Sequence, residues 1–334
     1  MLSNGYNFIK RVGVISLRAL ESKTNRLPTA KLRNNGKLKV QLGYYAMFIV
    51  PALWMLLFSY VPMAGLYLAF VDYKPAKGIF GSEFVGLEHF LRFVKSPDFE
   101  RVFRNTIMYN VGRIVIVNIV FGMLFALLLY EIKSRVGNKI FHTCMLLPAF
   151  LSWTVVSAAL LVFLHPDNGV LNSFLESIGL HSINWYMNKE YWPFIINFCM
   201  VYKGAGMASI YFYAALLSID PKLFDAASID GASRLKQIRH ISIPSMGKVF
   251  CITLITQLGS VLTSSVSPFY ELTYDNGALY DTTQVIGTYI YNGLGGGRYS
   301  FMTAVSLVQS LIGLALVLVS NAVVKRVDPD SAMF

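Results

Sequence analysis

Six times along this sequence an apolar run reaches about the 20 residues that an α-helix needs to cross hydrocarbon. The runs lie at about 41–70, 106–130, 140–164, 192–218, 246–267 and 301–324. No other feature restricts the fold as tightly. Backbone inside lipid must satisfy its own hydrogen bonds, and a helix does so within one segment. The reading is an all-α membrane protein with six transmembrane helices. A large soluble core would not need runs of this length. Charged residues make up 14% of the chain, against about 25% in ordinary soluble proteins. Pro51 and Pro62 mark expected kinks in the first span.

A formal charge of +11 raises nucleic acid as a partner, but the distribution of charge makes that reading unnecessary. With both termini placed in the cytoplasm, the inner segments hold 19 Lys and Arg and the outer segments 8. That asymmetry is the positive-inside signal of membrane insertion. Residues 1–40 then form a basic cytoplasmic arm, amphipathic on the membrane face or disordered, with no signal-peptide cleavage pattern. Residues 41–326 are the transmembrane domain and 327–334 a short cytoplasmic tail. Trp185, Tyr186, Tyr191 and Trp192 read as an aromatic belt at the outer mouth of the fourth span. Cys144, Cys199 and Cys251 fall inside apolar runs without metal-ligand spacing, and the five histidines form no array.

The longest inner loop, 219–245, contains DAASIDGASRLKQIRHISIP at 225–244. Asp220-Pro221 supplies an N-cap acceptor and a proline at the first helical position. Asp230-Gly231 breaks the run and can cap a second helix, and Ile243-Pro244 marks entry to the fifth span. Ala226 and Ala227 would let another surface approach closely, with Phe224 and Ile229 as apolar anchors. A solvated helical hairpin is the alternative on physics alone.

The stretch resembles the EAA loop of ABC importer permeases. Asp225-Ala226-Ala227 is followed after three residues by Gly231, and nine residues later come Ile241, Ser242, Ile243 and Pro244. Asp stands where that pattern has Glu, and Ile where it has Leu. LPAFLSWTVV (148–157), HPDNGVLNS (165–173), the run 202–221 and RYSFMTAVSLVQS (298–310) resemble polysaccharide- and oligosaccharide-import permeases of the maltose-permease-like superfamily, as does 60–82. The likeness covers about 41–326 and departs at SSVSPFYE (264–271), which puts substrate specificity in doubt.

The resemblance implies a type I importer permease in the bacterial cytoplasmic membrane, carrying oligosaccharides or polysaccharide fragments. It implies a related second permease chain and a dimer of cytoplasmic ATPases holding ATP and Mg²⁺. An extracytoplasmic solute-binding protein would dock on loops 71–105, 165–191 and 268–300, where acidic residues outnumber basic ones by 11 to 8. It also implies that Asp225, Ala226, Ala227 and Gly231 form the core of a coupling helix, flanked by Phe224, Ile229, Asp230 and Pro244. Arg234, Lys236 and Arg239 either orient that helix or obey the positive-inside rule.

Uncharged polar residues stripe the later spans. Thr253, Thr256, Gln257, Ser260 and Ser264 share a helical face, as do Thr303, Ser306 and Ser310, while Tyr202, Ser209 and Tyr213 lie on the fourth span. In lipid such stripes face protein or water, so they serve inter-helix contacts or a sugar path. Arg113 shares a face with Tyr109, Asn110 and Thr106; it can meet an anionic group such as a uronate or pair with carbonyls. Lys203, beside Cys199, Gly206 and Met207, fits a structural or gating role. No G-x-x-x-x-G-K-[ST] loop, catalytic constellation or metal cluster is present, so the motor of any pump is a separate chain. A secondary transporter or channel would explain the polar stripes but not the loop, and would lead one to expect repeat symmetry. A membrane-embedded enzyme would require acidic or metal-binding motifs at a membrane face.

Overall fold

The computed structural model describes residues 34–258, 261–262 and 266–327. The expectations for the arm up to residue 33, for Ser260 and Ser264, and for the tail from 328 fall outside these residues. The chain divides into two compact units, up to Ala64 and from Gly65. In the first, α1 (Asn34–Met55) runs on through a π-helical turn at Leu56–Tyr60. The helix therefore begins inside the segment expected to be arm. Pro51 lies within α1 without ending it, and Trp54 stacks on Phe58 with ring centroids 4.3 Å apart.

The second unit begins within a 3-10 helical stretch, Val61–Phe70, followed by a two-residue antiparallel ladder pairing Val71 with Phe84 and Asp72 with Glu83. It then builds α2 (Glu88–Val94) and α3 (Pro97–Gly112), and α3 continues through π-helical turns at Arg113–Phe121 into α4 (Gly122–Glu131). Next come α5 (Arg135–Leu146), α6 (Trp153–Leu164), α7 (Val170–Ser177) and α8 (Trp192–Leu217). The hairpin helices are α9 (Pro221–Ile229) and α10 (Arg234–Gln237). They precede α11 (Gly247–Leu258), α12 (Val266–Thr273), α13 (Ile286–Gly295) and α14 (Tyr299–Val327).

Gly43–Phe70, Pro97–Glu131, Lys189–Leu217 and Tyr299–Ala322 are long and apolar enough to cross a bilayer. The remaining two candidate crossings are bent. Arg135–Phe150 meets Trp153–Leu164 at 95°, and Arg234–Ser245 meets Gly247–Gln257 at 50°. The third span is thus an elbow, where the sequence suggested one continuous helix over 140–164. Pro148 cannot donate a helical hydrogen bond, and Ser152 starts a fresh helix by accepting the Val155 N–H at 3.2 Å. The fifth is described as α11 up to Leu258 and as a turn at 261–262, and positions 259–260 and 263–265 of the expected span to 267 lie outside the described residues.

Close backbone approach holds the spans together, as expected where lipid offers little hydrophobic drive. A side chain on Gly206 would collide with the Met145 carbonyl, and one on Gly122 would stand 3.0 Å from the Ala208 methyl. One apolar cluster joins Tyr109, Val156, Trp192, Cys199 and Phe269; another joins Ala126, Phe212, Leu216 and Met246.

The three long connections gather at one end of the second unit. Tyr73 N–H donates to Ser300 Oγ at 2.9 Å, Asn276 Nδ2 to the Tyr186 carbonyl at 2.8 Å, and Thr282 Oγ1 to the Lys189 carbonyl at 2.8 Å. Asn172 is fully buried there. Its amide donates to the Pro166 and Ile183 carbonyls and accepts from Trp185 Nε1 at 3.0 Å. Trp192 Nε1 donates in turn to the Trp185 carbonyl at 2.8 Å. Trp185 and Trp192 are therefore interior residues, not the lipid-facing belt that their position suggested. Tyr280 donates to Asp275 Oδ1 at 2.8 Å, and burial together with this carboxylate pushes its pKa up to about 12.

Candidate functional site

Span two supplies the first wall of a cavity of about 410 Å³, and its residues divide by role. Thr106 Oγ1 receives the Ile286 N–H at 2.8 Å, and Tyr109 donates to the Thr282 carbonyl at 2.8 Å with its ring edge-on to Phe269. Both are consumed by packing, so Tyr109 is a strut and not a wall residue. Asn110 and Arg113, further along the helix, line the cavity. The π-helical register beyond Arg113 places residues five apart on one face, which brings Asn118 beside Arg113 in the lining. Asn118 is buried, and among the described residues its Nδ2 has no hydrogen-bond partner.

The elbow of span three and α8 form the opposite side. Lys203 donates from Nζ to the carbonyls of Leu151 and, at 3.4 Å, Ala149. Those carbonyls lie where the first half of span three ends, the negative pole of a helix, so the ammonium neutralises it. Nζ also stands 5.1 Å over the Trp153 ring. Val117, Trp153, Met200, Gly204, Pro268 and Phe269 complete the lining. No acidic residue lines this cavity, and among the described residues neither Arg113 nor Lys203 forms an ion pair. It holds two cations, amides and two aromatic walls, a combination suited to an anionic solute with flat apolar faces.

The other polar positions scatter. Ser209 is buried and donates back to the Gly206 carbonyl at 2.7 Å. Tyr213 accepts from Asn138 Nδ2 at 3.0 Å, and Tyr202 is 48% exposed, away from the cavity. Thr256 and Gln257 line a separate groove of about 370 Å³ with Tyr211 and Thr253, between α8 and α11. Ser310 donates to the Ser306 carbonyl within α14 at 2.9 Å. Among the described residues the stripes thus do not converge on one path. Trp153, Phe269 and Asn118 were missed. Asn118 carried a signal, being a polar residue inside an apolar run; the two aromatics reach the cavity only through tertiary folding.

The hairpin lies at the other end, next to the short α4–α5 connection. Asp220 caps α9 by accepting the Lys222 N–H at 3.0 Å. Gly231 ends α9 with φ +76°, a conformation that L side chains rarely adopt, and Ala232 N–H returns to the Ala227 carbonyl at 2.9 Å. Ser233, not Asp230, occupies the N-cap position of α10. Gln237 is buried and fastens the two helices, donating to Ser228 Oγ at 2.9 Å and to the Ala232 carbonyl at 3.2 Å. Arg234 approaches Glu131 at 3.8 Å. Phe224 stacks toward Tyr130, ring centroids 5.9 Å apart, and joins the cluster under the hairpin. It therefore anchors the hairpin to the spans, whereas Ile229 is 87% exposed and Leu235 76%. Asp225, Ala226, Asp230, Gly231 and Pro244 are exposed as well, and Ala227 is half-buried.

Residues 118–332 match the family model of the binding-protein-dependent transport system inner membrane component. The polygalacturonan/rhamnogalacturonan transport system permease protein YteP of Bacillus subtilis (strain 168) is 35% identical, over 87% of this chain and 90% of its own. Protein LplB of the same bacterium is 32% identical, over 88% and 92%. A solved chain from a bacterial ABC transporter involved in the import of the acidic polysaccharide alginate aligns with a TM-score of 0.79 at 31% identity. The alignment covers 89% of this chain and 99% of that one. This chain, with its bent and straight crossing helices and exposed hairpin, belongs to the binding-protein-dependent inner-membrane components and is a permease subunit of an ABC importer in the bacterial cell membrane.

Proposed function

We propose that the solute is an acidic oligosaccharide and that it passes the cavity between Arg113 and Lys203. The observation that carries this reading is two cations, without a carboxylate, in a cavity faced by Trp153 and Phe269. Guanidinium groups bind carboxylates bidentately, and aromatic rings suit the C–H faces of sugars. The names of the relatives agree, since one transports polygalacturonan and another takes part in alginate import. Pro268 and Phe269 come from the segment at 264–271 that departs from the wider superfamily, so this wall adjusts the choice of saccharide.

The remaining assignments follow from the family. The termini and hairpin lie in the cytoplasm, in keeping with the positive-inside charge. A separate ATPase dimer binds ATP and Mg²⁺ and grips the hairpin at Asp225, Ala226, Ala227, Ile229, Asp230 and Gly231, with Arg234 held by Glu131. A second permease chain completes the membrane part, and an external solute-binding protein delivers the saccharide to the long connections. A solved relative is in complex with such a periplasmic protein carrying an alginate pentasaccharide.

Two variants test this. Arg113→Gln should reduce uptake of trigalacturonate far more than uptake of maltotriose; equal effects on both would remove Arg113 from recognition. Gly231→Val forces a β-branched residue into φ +76°, at a cost of roughly 1–3 kcal/mol. It should leave membrane insertion intact and uncouple ATP turnover from solute, and normal solute-stimulated turnover would sink the coupling assignment.

A further inference from the structure

A second pocket, of about 380 Å³, lies at the end of the second unit that carries the long connections. Its frame is preformed. Tyr73 is tied to Ser300, His89 to the Val71 carbonyl at 3.2 Å, and Val71 pairs with Phe84. Arg92 and Arg298 line it, stationed 5.5 Å over the Phe301 ring and 5.9 Å over the Tyr289 ring. Two carboxylates also line it, but each already has a cation beside it: Asp98 takes Arg101 at 2.7 Å, which also approaches Asp281 at 3.9 Å, and Asp72 takes Lys74 at 3.6 Å. Among the described residues no carboxylate pairs with Arg92 or Arg298. Tyr73 and Tyr299 meet edge to face at 5.9 Å and offer aromatic surface.

His89 narrows the ligand class. Its Nε2 faces a carbonyl oxygen and must carry the proton there, which leaves Nδ1 of a neutral ring as an acceptor. That Nδ1 is buried and, among the described residues, without a partner, in a residue only 8% exposed. His89 lines the pocket, so a ligand hydroxyl can supply this donor once the ring shifts to meet it, and a bare carboxylate has no hydrogen to give. Arg298 reaches the Tyr289 hydroxyl but no carboxylate, so a ligand with both a carboxylate for the arginines and hydroxyls for His89 suits this lining.

We infer that this pocket is a second saccharide site, which takes a uronate unit of the acidic oligosaccharide through Arg92, Arg298 and His89. The inference rests on the proposed substrate class. Asp98 and Arg113 stand on one continuous helix, Pro97–Glu131, so the two sites are separated by about 22 Å along its axis. The outer site would take an arriving chain before its leading unit reaches Arg113.

The test uses the complete complex of permease chains and ATPase in lipid nanodiscs, without the external binding protein. Calorimetric titration with trigalacturonate and with its methyl ester reads the sites directly. Arg92→Gln/Arg298→Gln should weaken one class of trigalacturonate binding by about tenfold or more, as loss of charge-assisted hydrogen bonds predicts. The ester should bind that site weakly in the parent complex, and Arg113→Gln should leave it in place. Unchanged trigalacturonate binding by the double variant overturns the inference. So does a double variant that, in a separate pull-down, loses capture of the external protein while its trigalacturonate binding stays unchanged, which would make the pocket a protein socket. If the double variant fails to assemble, Arg298→Gln with Tyr299→Leu puts the same question to the same wall. A parent complex that neither binds nor imports trigalacturonate refutes the substrate class itself. Import that depends on Arg113 but is indifferent to Arg92 and Arg298 refutes only the second site.

Discussion

The two ends of the second unit are built on opposite principles. Where the long connections meet, buried amides and indoles lock distant segments together: Asn172 to Trp185, Trp185 to Trp192, Tyr109 to Thr282, Asn105 Nδ2 to the Gln284 carbonyl. At the hairpin end one buried glutamine and one phenylalanine fasten a pair of short helices whose apolar residues Ile229 and Leu235 stand in the open. The first end owes its shape to its own contacts. The second keeps contact-forming surface unspent, which is what an element gripped by another protein requires.

The largest effect that would break this contrast is expected from Gly206→Val, between the two ends. The new side chain would meet the Met145 carbonyl, and overpacking of this kind costs about 1–3 kcal/mol or more. Loss of the assembled complex in size-exclusion chromatography is the expected outcome. Asn172→Ala should come next, because it leaves Trp185 Nε1 and the Ile183 N–H without an acceptor, at about 1–3 kcal/mol for each buried group. Thermal unfolding should shift down, while solute-stimulated ATP turnover of the surviving complex stays normal. Gln237→Leu should do the reverse. It unfastens α9 from α10, so turnover loses its response to solute with little change in melting temperature. Equal melting shifts for Asn172→Ala and Gln237→Leu would dissolve the contrast.

The smallest effect concerns Asp281, exposed beside Lys189 at 2.5 Å. The hydrogen bond and charge of Lys189 hold its carboxyl below the ordinary value. A depressed carboxyl contributes stability above its unfolded pKa, about 3.9, and loses it as pH falls through the lower folded value. Between pH 5 and 8 Asp281→Asn should therefore melt at a nearly constant, small offset from the parent. An offset that changes across that range would assign the pair a different environment.

The hairpin was readable from sequence because its signals are local. Proline at the first helical position, small residues on one turn and glycine at the stop each act over a few positions. Arg113 was readable because an ionised group inside an apolar run needs a reason. The elbow in span three was not, since Pro148 alone suggests a kink, while the 95° turn also needs Ser152 as a new cap and Lys203 across the gap. Trp185 and Trp192 misled because an indole at a span mouth can face lipid or an internal acceptor, and only the folded partners, Asn172 and a carbonyl, decide. Asn118 was hidden by the register. A period of 3.6 leaves it off the Arg113 face, and the π-helical turns restore it.

The contact between Gly206 and the Met145 carbonyl bears on how force can travel. With main chain lying directly on main chain at this point, no flexible side chain is interposed there to absorb a displacement between α8 and the first half of span three. Lys203, less than one turn away, clasps the far side of the same elbow. The hairpin follows α8 directly in the chain, so a tug on it is delivered to both pieces at once. They form the two arms of a single crank, with the cavity of Arg113 and Lys203 in the crook between them.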